Sequence, residues 1–310
     1  MKRMFPRAAL AALSLLAAVP ALAQVAAGDS EADDAPVAEK ATSDAKVKVE
    51  SVKFLSADGK NMINGYVFTA EGGAGRKPAI VMEHGRGGAY SSLADGVYNA
   101  NTLSSRHKMW GKLWAQRGYV AIMVDDFGPL GYPQGFGRFT YDSRPAALDE
   151  VVNRPLHAYG ALKYLKTRGD VDPKRIGLMG WSNGGSLTLA AMANDKPEGI
   201  KAAGFQAGVA FYPGCGLKNR FDRTGYKPYN PVLLMIGTGD VEVSPTICSR
   251  LVAHSRASQG EIEIVLYKDA EHSFDTPTKS RQSVPANAAA KDDAMQRTFA
   301  FFDDKLKPRP

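Results

Sequence analysis

The chain of 310 residues has little cysteine: two residues, Cys215 and Cys248. Neither lies in a CxxC pair or at Cys/His ligand spacing, so the sequence offers no metal site. Beyond the first two dozen residues no apolar run is long enough to span a bilayer. There is no internal repeat, which excludes solenoid and propeller architectures. Charge is not blocked either. The formal net charge of +7 comes from scattered residues. No basic stripe or interleaving of aromatic and basic residues marks a nucleic-acid partner. What remains is a chain with room for one α/β domain.

The amino terminus reads "MKRMFPRAALAALSLLAAVPALAQ". Lys2, Arg3 and Arg7 make a basic start, Ala8 to Val19 is apolar, and Ala21-Leu22-Ala23 is a small-x-small cleavage site. The pattern predicts a secretory signal peptide over 1–23, removed before folding. Without those three bases the formal charge falls from +7 to +4. Residues 24–46 are polar and lack apolar periodicity, as expected of a disordered leader. The protein is thus expected to be exported, periplasmic or secreted, with no membrane insertion once the signal is cleaved. In that compartment an even cysteine count favours a Cys215–Cys248 disulfide.

From residue 47 to 310 the pattern alternates between strands and helices. "VKVESVKFL" and Ile63 to Thr69, joined by "SADGKN", predict an antiparallel hairpin. "AIVMEHG", "YVAIMVDDFG", Arg175–Gly180, Ala203–Tyr212, "PVLLMIGTGD" and "EIEIVLY" are short apolar strands. Helices are expected over Ser105–Arg117, over Ala146–Lys166 with a kink or restart at Pro155, and over Ser182–Ala193. Two more are expected over Ser244–Ser258 and Ala286–Phe302. This order predicts a mostly parallel central sheet with helices on both faces and the hairpin at one edge. Chemistry in such a sheet gathers at the carboxyl ends of the strands.

One of those ends carries Gly180-Trp181-Ser182-Asn183-Gly184, a G-x-S-x-G pattern between a strand and a helix. A serine hydroxyl is a weak nucleophile and needs a base, which in turn needs an orienting acid. Five histidines compete. His107, His157 and His254 fall in predicted helices, and His84 lies in an early loop. His272 follows the last strand, at the correct end of the sheet. Asp240 ends "LLMIGTGD". Glu242 is the alternative acid, while Asp275 follows His272 too closely to reach across the site. The order Ser182, Asp240, His272 is that of an α/β-hydrolase triad. A tetrahedral intermediate needs backbone donors, expected from the amides of Asn183 and of Arg86 in "EHGRGG", where Gly87 and Gly88 permit close approach.

With these residues in place, the chain resembles the dienelactone hydrolase family of the α/β-hydrolases. The likeness runs from about Val47 to Lys305 and is carried by "VMEHGRGG", "RHKMWGKLWAQRGYVAIMVDDFGPLGY", "RPLHAYGALKYL", "RIGLMGWSNGG", "VAFYPGCG", "PVLLMIGTGD" and "YKDAEHSF". The resemblance implies an α/β-hydrolase fold, a nucleophile–His–Asp triad, no cofactor, and cleavage of small-molecule esters or lactones. The best-known members use cysteine as nucleophile. Ser182 at that position resembles a secreted serine-type branch. The family's helical Arg…Asp pattern appears here as Arg154 and His157, which leaves that arginine without its acid on the helix. Arg86 would read an anionic group on the substrate or pair with Glu83. Trp181 and Tyr212, with Tyr90, Tyr98, Phe127 and Phe136, would wall a substrate pocket or simply pack in the core. Residues 89–104 would form a rim or lid. A peptidase or acyltransferase on the same fold, and a non-catalytic binding module, are the competing readings.

Overall fold

The computed structural model describes residues 45–72, 75–138, 140 and 143–307. The expected signal peptide, and the leader up to residue 44, lie outside the described residues.

Eight strands form one sheet: β1 (Val47–Leu55), β2 (Met62–Ala70), β3 (Lys77–Glu83), β4 (Val120–Asp125), β5 (Val171–Trp181), β6 (Gly208–Phe211), β7 (Val232–Gly237) and β8 (Ile262–Tyr267). Their spatial order is β1-β2-β4-β3-β5-β6-β7-β8. β1 pairs with β2, and β2 with β4, antiparallel; every pairing from β4 to β8 is parallel. β3 and β4 are buried along almost their whole length, which is why they read as unbroken apolar runs.

The helices are α1 (Ser105–Gln116), α2 (Arg154–Thr167), α3 (Asn183–Met192), α4 (Glu198–Ala202), α5 (Pro245–Ala257), α6 (Lys279–Gln282) and α7 (Pro285–Leu306). Successive residues of a strand point to opposite faces of the sheet. On β5, a Cβ at Gly177 would meet Phe302 of α7, whereas one at Gly180 would meet Gly184 and Thr188 of α3. α7 and α3 therefore cover opposite faces. α1 shares the α7 face, since the Trp114 indole donates to the sulfur of Met179, two residues on from Gly177. Trp110, Trp114, Phe211, Phe299 and Phe302 interlock there at centroid distances of 5.0–6.1 Å.

Three boundaries differ from expectation. Pro155 sits in the first turn of α2, where its missing N–H costs nothing, so it starts that helix instead of kinking a longer one. Only a single 3-10 turn, Ala146–Leu148, precedes it. β6 is confined to Gly208–Phe211, with the short α4 before it. β5 is longer than expected because Val171 already pairs with Lys77 before a register shift. α1 and α5 begin where their serines can cap them: Ser104 accepts from the His107 amide and Ser244 from that of Ile247.

Candidate active site

At the end of β5 the chain turns sharply into α3. Ser182 has φ 53° and ψ −113°, a strained conformation for a residue with a side chain. The turn closes only because its flanking residues lack side chains. A Cβ on Gly180 would lie 2.2 Å from the Gly184 carbonyl oxygen, and one on Gly184 would lie 2.0 Å from that of Glu83. The G-x-S-x-G spacing is thus a packing requirement between β5, α3 and the end of β3.

Ser182 Oγ lies 3.0 Å from His272 Nε2, and His272 Nδ1 lies 2.7 Å from Asp240 Oδ2. The carboxylate's other oxygen accepts the backbone N–H groups of Glu242 and Val243 at 2.8 and 2.9 Å. Asp240 is therefore locked by its own loop, and Nδ1 of His272 must donate to it. That leaves Nε2 to accept the Ser182 hydroxyl proton. His272 and Asp240 are both buried, and the Tyr212 ring backs the imidazole at 4.7 Å. The other histidines are occupied or remote. His84 and His157 face Asp126, His107 Nδ1 is 2.8 Å from the Ala89 carbonyl, and His254 is exposed on α5.

The loop bearing Arg86 follows β3 and packs over the elbow, with Gly85 against Ser182. Gly88, at φ 82°, makes its turn, whereas a Cβ on Gly87 would point into open space. A second loop braces it: the Phe136 amide donates to the Arg86 carbonyl at 2.8 Å, and Gly135 packs directly on Gly87. Arg144 donates to the side-chain oxygen of Asn183 at 2.8 Å and fixes the start of α3. Neither contact has a sequence signal of its own.

Beneath this loop lies a fully buried charge cluster. Arg154 on α2 contacts Asp126 at 2.7 Å and Glu83 at 3.6 Å, and donates to the His84 carbonyl at 3.0 Å. The arginine–acid contact missing from the helix is thus made across space. One cation cannot neutralise two buried carboxylates equally. Asp126 is held well below the ordinary carboxylate range, against the cost of burial, by Arg154, His157 and His84. Glu83 is pushed well above it by burial and by the Asp126 charge, with Arg154 only partly opposing.

Glu83 is accordingly not the partner of Arg86. The Arg86 guanidinium reaches Glu242 at 3.3 and 3.4 Å, and Arg138 contacts the same carboxylate at 2.9 Å. Glu242 is turned away from His272 Nδ1 and approaches Nε2 to 3.9 Å, so it does not take the place of Asp240.

A cleft of about 250 Å³ opens over Ser182 and His272. Residues 89–104 form one of its walls and are pinned at both ends: Tyr90 bridges to Leu103, and the Ser104 amide donates to the Ala89 carbonyl. Tyr90, Tyr98 and Trp181 face the cleft. Tyr212 does not wall it as expected: it is fully buried behind His272, and its hydroxyl donates to Asp275 at 2.5 Å. Phe127 is likewise core, packed against His84 and under Arg154.

Asp275 is the supporting residue of the site hardest to find in sequence. Fully buried, it accepts the indole N–H groups of Trp181 at 2.8 Å and Trp110 at 3.2 Å, the Tyr212 hydroxyl, and Arg106 at 3.4 Å. Three residues after His272, it anchors the histidine's loop to α1 and to the residue preceding Ser182. On the opposite side of the acid loop a Cys215–Cys248 disulfide ties the segment after β6 to α5, with the two Cα atoms 5.0 Å apart. Among the described residues no cluster of three or more His, Cys, Asp or Glu side chains is arranged to hold a metal ion.

Comparison with known proteins establishes the family and the fold. The dienelactone hydrolase family matches residues 63–306. A protein named probable 2-oxo-3-(5-oxofuran-2-ylidene)propanoate lactonase, from Bradyrhizobium sp., is 24% identical over 171 residues, which span 52% of this chain and 64% of that one. A dienelactone hydrolase-like promiscuous phosphotriesterase from metagenomic libraries superposes with a TM-score of 0.61 at 17% identity, covering 84% of this chain and 99% of the other. Brefeldin A esterase, described as a bacterial homologue of human hormone-sensitive lipase, gives 0.60 at 18%, covering 89% and 82%. A puromycin-hydrolyzing peptidase from Mycobacterium tuberculosis gives 0.59 at 18%, covering 85% of this chain and 40% of that one. At these identities the solved structures testify to the fold. The family match spans most of the domain, and the chain belongs to the dienelactone hydrolase family of α/β-hydrolases.

Proposed function

We propose that the protein is an exported serine hydrolase that cleaves small carboxylic esters or lactones through an acyl-enzyme. The observation that carries this reading is the line Ser182 Oγ–His272 Nε2–Asp240, with spacings of 3.0 and 2.7 Å, on a strained elbow. His272 takes the Ser182 proton as Oγ attacks the carbonyl. The amides of Asn183 and Arg86 hold the oxyanion. The imidazolium, stabilised by Asp240, then protonates the leaving alcohol. Water, deprotonated by the same Nε2, releases the acid and restores the serine. The cleft suits a small substrate, and the Bradyrhizobium relative's name supports a lactone. Export is consistent with the disulfide, and no described helix is long and apolar enough to cross a membrane.

The test is covalent labelling by a fluorophosphonate alongside hydrolysis of a short-chain aryl ester and its matching anilide. Ester turnover should exceed anilide turnover, and Ser182→Ala should abolish the label. Because the triad acts as a unit, Ser182→Ala or His272→Ala should each lose roughly four or more orders of magnitude in turnover. Preferred cleavage of the anilide would favour a peptidase, and labelling that survives Ser182→Ala would remove the serine from the mechanism.

A further inference from the structure

The amides of Asn183 and Arg86, which the acyl-enzyme reading gives to the oxyanion, belong to different elements: the first turn of α3 and the loop after β3. An oxyanion hole works only while both donors keep a fixed separation. One stretch of chain, through Phe136 and Arg144, touches both. On the Arg86 side, the Phe136 amide donates to the Arg86 carbonyl at 2.8 Å, and Arg86 Nη1 donates to the Phe136 carbonyl at 3.5 Å. A Cβ on Gly135 would lie 2.3 Å from the Gly87 carbonyl carbon, so the two backbones are in direct contact. On the Asn183 side, Arg144 Nη1 donates to the side-chain oxygen at 2.8 Å. The same guanidinium joins the two sides. Its carbon lies 5.2 Å from the centre of the Phe136 ring, and its Nε and Nη2 reach the Thr140 hydroxyl at 3.4 Å.

Asn183 is buried, and it is the first residue of α3. The positive end of that helix already favours negative charge. Arg144 adds a full positive charge behind the same residue, held there by its bond to the Asn183 side chain. Donors and charges fixed in advance cost no reorganisation as the oxyanion forms, so they act on the transition state more than on the bound ester. We propose, resting on the esterase reading above, that Arg144 is a positioning residue of the oxyanion hole: it clamps Asn183 to the Phe136 loop that holds Arg86, and so fixes one donor against the other.

The experiment measures kcat/KM for 4-nitrophenyl acetate and Ki for two inhibitors of one shape. An aryl trifluoromethyl ketone is attacked by Ser182 and sits in the site as an oxyanion; its methyl ketone stays a carbonyl. Arg144→Met keeps the apolar stem over Phe136 but removes the charge and the donors. Its kcat/KM should fall about ten- to hundredfold, less than the loss of an oxyanion donor itself. Ki for the trifluoromethyl ketone should rise by the same factor, while Ki for the methyl ketone moves by less than about threefold. A merely structural loosening would move both. Arg144→Lys keeps the charge and a donor and should stay within about tenfold of wild type. With Asn183→Ala the acceptor is gone, and Arg144→Met should then cost clearly less. An Arg144→Met enzyme within about twofold of wild type, equal shifts in the two Ki values, or a loss undiminished in the Asn183→Ala background would each overturn the proposal. If Arg144→Met does not fold, the two Ki values of Arg144→Lys decide: selective weakening of the trifluoromethyl ketone supports the clamp, and equal or absent shifts overturn it. Ester turnover by the wild type, abolished in Ser182→Ala, tests the esterase reading separately.

Discussion

Replacing Asp275 by asparagine should unfold the protein at a markedly lower temperature, although the side chain keeps its size. The carboxylate accepts four donors: Trp181 at 2.8 Å, Trp110 at 3.2 Å, Tyr212 at 2.5 Å and Arg106 at 3.4 Å. Its two indole partners share Oδ2 and the other two share Oδ1. An asparagine has one acceptor oxygen. Pointed at the indoles, it turns its NH2 toward Tyr212 and Arg106; reversed, it strands both indoles. Reversed, two indoles face a donor; in the first orientation Arg106 does, while the Tyr212 hydroxyl must turn to accept; either way Arg106 loses its counter-charge. Breaking such a buried charged pair costs about 3–5 kcal/mol. At about 2–4 °C per kcal/mol for a domain of this size, Tm should fall by roughly 6–20 °C. Trp181→Phe deletes one donor and leaves the carboxylate three, so it should cost only about 1.5–3 kcal/mol. The two substitutions share one network, and the double variant should lose less than their sum. Urea denaturation and thermal melts measure all three. An Asp275→Asn protein within 1 kcal/mol of wild type would show that the carboxylate is not the acceptor for these groups and remove the anchor from the His272 loop.

The Cys215–Cys248 bridge closes a loop of sequence separation 33. Its reduction should cost about 3.5–4 kcal/mol by chain entropy, and two titratable thiols in unreduced, denatured protein would rule the bridge out. Glu83 gives a pH signature. Its folded pKa is raised by burial, so it contributes stability below its unfolded pKa of about 4.3 that is lost as pH rises toward the folded value. Glu83→Gln cannot titrate and should lose less stability than wild type over that rise. Parallel stability–pH profiles from urea titrations at successive pH values would contradict this.

The elbow, the triad and the sheet were legible in the sequence because each rests on local or ordered information. Gly180 and Gly184 flank Ser182 at fixed offsets. Asp240 and His272 end or follow apolar runs, in an order the fold imposes. The pairing of charges was not legible in the same way. Arg86 had Glu83 three residues away and takes Glu242, 156 positions on. Arg154 lacked an acid on its own helix and finds Asp126, at the end of a different strand. Such choices follow from which loops the sheet brings together, and no periodicity encodes them. Tyr212 shows the same limit: a tyrosine at a strand end reads as a pocket wall, but its backbone, at φ 37°, carries the ring behind His272 instead. The short α4 and α6 have no sequence expectation because segments of four or five residues carry too little pattern to separate from a loop, and Ala146–Leu148 reads as the start of the α2 helix.

Those charge pairings bear on the chemistry. Several carboxylates lie at this end of the sheet, and two of them, Asp240 and Glu242, come within 4 Å of the His272 ring. Asp126 is held by Arg154, Asp275 by Arg106 and two indoles, and Glu242 by Arg86 and Arg138. Asp240 lies 2.7 Å from His272 Nδ1, with its second oxygen committed to two backbone amides. The arginines thus act by subtraction. By holding Glu242, Arg86 and Arg138 leave His272 one orienting partner and one tautomer, with its lone pair toward Ser182. Glu242 is the exception in position: it stands 3.9 Å from Nε2 and is held there by Arg86 and Arg138.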